Sequence, residues 1–291
     1  MSEKALEHNQ ESFIQIENRQ LRVHQYGNKG QAVVLLHGGG TDSGLLSWKE
    51  TIPALAETHR VIVPDWPGYG ESELMEDVFS LDRMGELILA LLDAMDLSSA
   101  ALVGVSMGGG AALNFALRWP DRVNSLVLVD SYGLQERVPL QMLSWLMVRV
   151  PFLIRWTWVW MRRSRWITRW ALAGIFHQKD AVSPELVEEV YRAVQNRNAA
   201  RAFYAFQRFE VLPDRLRSCY QEQLYGIDVR TLLIHGEKDT LVPLEWAREA
   251  AGRIPHAELA VMPQCGHWPQ RENPELFNNI LAAFLEIRPS E

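Results

Sequence analysis

Residues 100–112, Ala-Ala-Leu-Val-Gly-Val-Ser-Met-Gly-Gly-Gly-Ala-Ala, decide the fold. The apolar run Ala100 to Val103 reads as a buried strand, and the small residues Gly109 to Ala112 suit a helix packed closely against it. Between them, Gly104-Val105-Ser106-Met107-Gly108 reads as a sharp strand-to-helix turn with a serine at its apex. Glycine is needed on either side, because the strained turn and the close approach of strand and helix leave no room for a Cβ. Ser106 is therefore the candidate nucleophile. The N–H of Met107, at the helix start, can face a developing oxyanion.

Outward from this turn, strand-like and helix-like segments alternate. Short apolar runs occur at Ala32 to Leu36, Arg60 to Pro64, Val123 to Val129, Thr231 to Ile234 and Glu258 to Met262, as strands buried on both faces of a mainly parallel sheet require. Helical periodicity covers Leu81 to Met95, Gly108 to Trp119, Leu244 to Arg253 and Pro274 to Ile287. The opening stretch SFIQIENRQLRVHQYG alternates apolar and polar positions around Glu17-Asn18-Arg19, which predicts a β-hairpin. The fold class is α/β. Alternation fails only between about Gly133 and Pro213, where helical patterns rich in Trp and Arg continue without a buried strand. The expected organisation is a core formed by residues 1–133 and 214–291, with a helical cap or lid over 134–213.

Three further loops follow expected strands. His37-Gly38-Gly39-Gly40 succeeds VVLL, and Gly39 N–H is the candidate second oxyanion donor; His37 is expected to support the loop. His267, in Gln264-Cys265-Gly266-His267-Trp268-Pro269, lies between the last strand and the last helix and is the candidate general base. Asp239, in His235-Gly236-Glu237-Lys238-Asp239-Thr240-Leu241-Val242-Pro243, can hold the histidine tautomer and stabilise the imidazolium. Asp130, just after the run VNSLVLV, is a second possible acid. His177 and His235 are weaker candidates for the base, and His8, His24, His59 and His256 sit where no loop meets the serine turn.

Composition narrows the function. A net charge of -7 over 291 residues argues against nucleic acid. Cys219 and Cys265 are too few for a disulfide framework and lack metal-ligand spacing, so no metal is expected. The start, MSEKALEHNQES, has no apolar signal-peptide core, which together with the cysteines suggests a cytoplasmic setting. Leu140 to Met161, the best candidate for a membrane span, is broken by Arg149, Pro151 and Arg155.

HGGG, DWPGYGES, GVSMGG, HGEKDTLVP and CGHWPQRENPELF together resemble the α/β-hydrolase superfamily over nearly the whole chain apart from the cap. That resemblance implies a cofactor-free Ser-His-Asp enzyme with an oxyanion hole and a pocket between core and cap. Gly40, Val105, Trp268 and Arg197 are the pocket candidates. HGGG, SMGG, ALNFALRWPDRV and CGHW are most similar to the meta-cleavage product hydrolases, which cut carbon–carbon bonds in ring-fission products. That group typically has Asn before the serine, where Val105 stands here, and a cap arginine for the substrate carboxylate. The matching position here is Asn196, beside Arg197. These departures favour a serine esterase acting on a small hydrophobic ester or related carbonyl compound. The alternatives are carbon–carbon cleavage and a non-catalytic small-molecule receptor on the same fold.

The cap carries a second signal. Between Arg137 and Arg169 there are seven arginines and no acidic residue, interleaved with Trp145, Trp156, Trp158, Trp160 and Trp166. Such a segment is expected either as a lid with arginines in water or as a peripheral contact with lipid. Self-association, if any, is expected as a homodimer.

Overall fold

Eight strands form one sheet in the computed structural model, which describes residues 10–75 and 79–286, with residues 151 and 153–155 described in backbone only. The polar start with His8, and Ile287 at the expected end of the last helix, lie outside the described residues. β1 (Gln10–Ile16) and β2 (Arg19–Tyr26) make the expected hairpin, turning through Glu17 in a left-handed conformation (φ 54°). β3 (Ala32–Leu36), β4 (Arg60–Pro64), β5 (Ala100–Val105), β6 (Val123–Val129), β7 (Thr231–Gly236) and β8 (Glu258–Met262) follow. The order across the sheet is β1-β2-β4-β3-β5-β6-β7-β8. β2 is antiparallel to β1 and β4, and the other pairs are parallel.

Alternate residues of the strands supply two apolar layers. Val34, Leu36, Ile62, Leu102, Leu126 and Leu128 belong to one cluster, and Val33, Leu35, Val61, Val103, Val105 and Val127 to the other. This two-sided burial is the reason the strands read as continuous apolar runs rather than alternating ones. The short helices α1 (Gly44–Trp48) and α2 (Ile52–Ala56) precede β4, and α3 (Leu81–Ala94) and α4 (Met107–Arg118) flank β5. Between β6 and β7 come α5 (Gln141–Arg149), α6 (Pro151–Arg163), α7 (Arg165–Ile175), α8 (Pro184–Ala193) and α9 (Arg197–Glu210). α10 (Leu244–Arg253), α11 (Pro269–Glu272) and α12 (Pro274–Glu286) complete the chain. Strand β5 runs two residues beyond the expected Val103, and α4 begins at Met107, one residue early. Val105 pairs with Val129 of β6, so the strand continues to the serine and the turn narrows to Ser106 alone.

Candidate active site

Ser106 has φ 50° and ψ −117°, a left-handed backbone that a non-glycine residue holds only at a cost of about 1–3 kcal/mol. Its neighbours hold it there: Ser106 N–H donates to Val129 O, and Ser106 O accepts from Gly110 N–H and Tyr132 N–H. The glycines are required by contact. A Cβ on Gly104 would lie 2.3 Å from Gly108 O, and one on Gly108 would lie 2.4 Å from Leu36 O. α4 thus sits directly on the ends of β3 and β5, with its N-terminus beside the serine.

The three loops after β5, β7 and β8 bring the expected trio together. Ser106 Oγ is 3.0 Å from His267 Nε2, and His267 Nδ1 is 2.7 Å from Asp239 Oδ2. The other oxygen of Asp239 accepts Leu241 N–H and Val242 N–H. The partner of Oδ2 is therefore Nδ1–H, which leaves Nε2 with a lone pair toward the serine hydroxyl. Burial raises the Asp239 pKa, but attraction to His267 and the bond to it outweigh that cost, and the carboxyl lies below its ordinary value.

Asp130 does not touch His267. It lies at the end of β6, with Oδ1 accepting Gly236 N–H, and burial together with the charge of Asp239 pushes its carboxyl well above the ordinary range. The two neighbouring carboxyls are thus shifted in opposite directions, Asp130 upward and Asp239 downward. Asp130, His235 and Asp239 bring ligand-type atoms within 4.8 Å of one another. They do not suit a metal: His235 Nε2 donates to Val242 O at 2.8 Å, and Asp239 Oδ2 is held by His267. His37, as expected, supports its loop, accepting Trp66 N–H at Nε2 and donating from Nδ1 to Gly38 O.

Gly39 and Met107 face the same space, and the N–H of Met107 is one of the first-turn donors without a partner inside the helix. The Gly39 loop is tied down by Asp42, which accepts Gly38 N–H, Ser43 N–H and Ser47 Oγ–H. The histidine loop is tied by Glu272, which accepts Gly266 N–H at 2.7 Å, and by His267 N–H donating to Ile175 O of α7. Neither acid was singled out in the sequence. Each looks like an ordinary turn or helix residue until its loop partners are known.

A cavity of about 580 Å³ opens over Ser106 between the sheet and the helices α5 to α9. Gly40 and Trp268 line it. Val105 and Arg197 do not. The Val105 side chain points into the apolar layer with Val103 and Val129, because alternate residues of β5 face opposite sides. Arg197 is exposed at the first position of α9. Asn196 is the cap of that helix: its Oδ1 accepts Asn198 N–H and Ala199 N–H, and its amide donates to Gly68 O and Gly70 O. Phe203, Phe206, Gln207 and Glu210, spaced along one face of α9, line the cavity instead. That spacing was legible in the sequence, but nothing in it says which helix covers the site. Glu210 accepts from Tyr132 Oη, Ser218 N–H and Ser218 Oγ; burial dominates these bonds and raises its pKa. No Lys or Arg is among the described residues lining the cavity.

Comparison with known proteins places this geometry in a family. The family model described as the alpha/beta hydrolase fold matches residues 31–274. The chain is 32% identical over 271 residues, 90% of its length and 89% of the relative's, to a 2-hydroxymuconate semialdehyde hydrolase of Pseudomonas sp. (strain CF600). Among solved structures it is similar to a meta-cleavage product hydrolase from Pseudomonas fluorescens IP01, with TM-score 0.80, 28% identity and coverage of 94% and 97% of the two chains. A bacterial membrane phospholipase A is also similar, with TM-score 0.78, 25% identity and coverage of 96% and 86%.

Proposed function

The chain belongs to the alpha/beta hydrolase fold family, and within it we propose a serine hydrolase that cleaves the carbon–carbon bond beside a ketone in a bulky, mostly apolar substrate. The observation that carries this reading is similarity over nine-tenths of the chain to a 2-hydroxymuconate semialdehyde hydrolase and a meta-cleavage product hydrolase, together with the Ser106-His267-Asp239 geometry. His267 would take the Ser106 proton as Oγ adds to the carbonyl carbon, with Gly39 N–H and Met107 N–H holding the oxyanion. The carbon leaving group departs with the proton returned by His267, and water then frees the acyl group from Ser106. Gln207, Tyr132 and Glu210, at the polar part of the cavity, would receive the oxygen-bearing end of the substrate.

Ester hydrolysis is the second reading, and one observation favours it. A ring-fission acid brings a carboxylate, yet no Lys or Arg is among the described residues of the lining, since Asn196 is spent on α9 and Arg197 is exposed. The other sequence argument for an ester, Val105, carries less weight because that side chain does not reach the cavity. A single experiment separates the two. The purified chain is given a coloured ring-fission product and, in parallel, aryl esters of several acyl lengths. Faster kcat/KM for loss of the ring-fission colour supports carbon–carbon cleavage; ester turnover with the coloured compound untouched replaces it by ester hydrolysis; turnover of neither overturns both.

A further inference from the structure

Helices α5, α6 and α7 are apolar on two opposite sides. Their inner faces, through Ser144 and Val148, Trp158 and Met161, and Leu172 and Ile175, line the cavity. On the reverse of the same helices, residues that ordinarily avoid water are exposed: Met142 and Leu146 on α5, Phe152, Trp156 and Trp160 on α6, and Trp166 and Trp170 on α7. Trp166 and Trp170 are 73% and 71% exposed. Spacings of four residues (152, 156, 160; 166, 170) put each set in one stripe about half a turn from the lining residues. Ten of the fourteen exposed large hydrophobic side chains among the described residues fall between Leu140 and Trp170. So concentrated a patch marks an interaction surface rather than random exposure.

Charge identifies the partner. Residues 134–213 hold 12 Arg and Lys against 6 Asp and Glu, whereas the whole chain is at -7. Arg149 on α5 and Arg163 on α6 are exposed at helical spacing from Met142 and Leu146 and from Trp156 and Trp160, and no acidic residue occurs from Arg137 to Arg169. A second copy of the chain would set this arginine face against itself. An anionic surface that also accepts indole rings, the headgroup region of a bilayer, complements both features. We infer that the outer face of α5 to α7 docks on anionic membrane, which places the helices that line the cavity against the lipid. This surface is independent of which bond the site cleaves.

The test uses the full-length chain with vesicles of phosphatidylcholine, with and without phosphatidylglycerol, followed by co-sedimentation and tryptophan fluorescence. The chain should bind the anionic vesicles at least about tenfold more tightly, with a blue shift in emission. Binding should weaken as the Debye length falls from about 10 Å at 0.1 M salt to about 3 Å at 1 M. The variant W156S/W160S/W166S/W170S should lose binding while keeping the parent's thermal midpoint, and R149Q/R163Q should lose the preference for anionic lipid. Absence of binding, or binding unchanged in the tryptophan variant, overturns the inference. So does a dimer in sedimentation velocity that the tryptophan variant dissolves while vesicles stay unbound.

Discussion

At the scale of single residues the site rests on one strained serine and on two carboxyls whose pKa values are pushed in opposite directions. Ser106→Ala should lower turnover of whichever substrate is accepted by at least about a thousandfold, since the members of such a trio act as a unit. Steady-state kinetics on protein with an unchanged thermal midpoint checks this, and retention of a tenth of the activity refutes it. Asp130 and Asp239 behave differently with pH. The folded-state pKa of Asp130 is raised above the unfolded value, so the folded chain binds the extra proton and loses stability as pH rises above about 4 toward that raised pKa. Asp239 is depressed, and its contribution is present above the unfolded value and lost only as pH falls through the folded one. Asp130→Asn keeps a donor toward Asp239 and has no proton to lose. Its thermal midpoint should therefore gain on the parent as pH rises from about 5 to 8; parallel curves would show Asp130 ionised throughout.

At the scale of elements, two contacts carry sharp expectations. Gly108→Ala drives a Cβ against the backbone oxygens of Leu36 and His37, so α4 must move off β3 and carry the Met107 N–H with it. Urea denaturation should show a loss of about 2–4 kcal/mol, and kcat should fall about 100-fold or more, as for loss of one oxyanion donor. Asn196→Ala removes the α9 cap and the bonds to Gly68 and Gly70. Stability should fall by about 1–2 kcal/mol with KM little changed. A large rise in KM with unchanged stability would instead assign Asn196 to substrate binding. The serine turn and its flanking glycines were readable because close approach excludes Cβ atoms whatever the rest of the chain does. Arg197 was misread as a pocket residue because one position along a helix is a rotation of about 100°, and a sequence does not show which face of α9 turns inward.

Considered whole, the molecule is a sheet buried on both faces with a helical layer enclosing a largely apolar cavity. A non-hydrolysable ketone or ester analogue should stabilise the Ser106→Ala variant by about 2.7 kcal/mol at a concentration about 100 times its Kd. For a chain of this size that is a rise of several degrees in a thermal shift assay. No shift with any bulky apolar analogue would mean that the cavity is closed to ligands of that class. Among the described residues no helix is long and apolar enough to cross a membrane. The sequence by itself determined the α/β class, the order of the strands along the chain, the serine turn and the order of serine, acid and histidine. Each follows from local sterics or from burial that leaves a short-range pattern. Only the tertiary structure decided that Asp239 rather than Asp130 reaches His267, that Asp42 and Glu272 brace the two loops, and that Val105 and Arg197 face away from the cavity. Those outcomes depend on how distant segments are rotated against one another, which the burial of apolar surface fixes collectively and no single stretch of residues encodes.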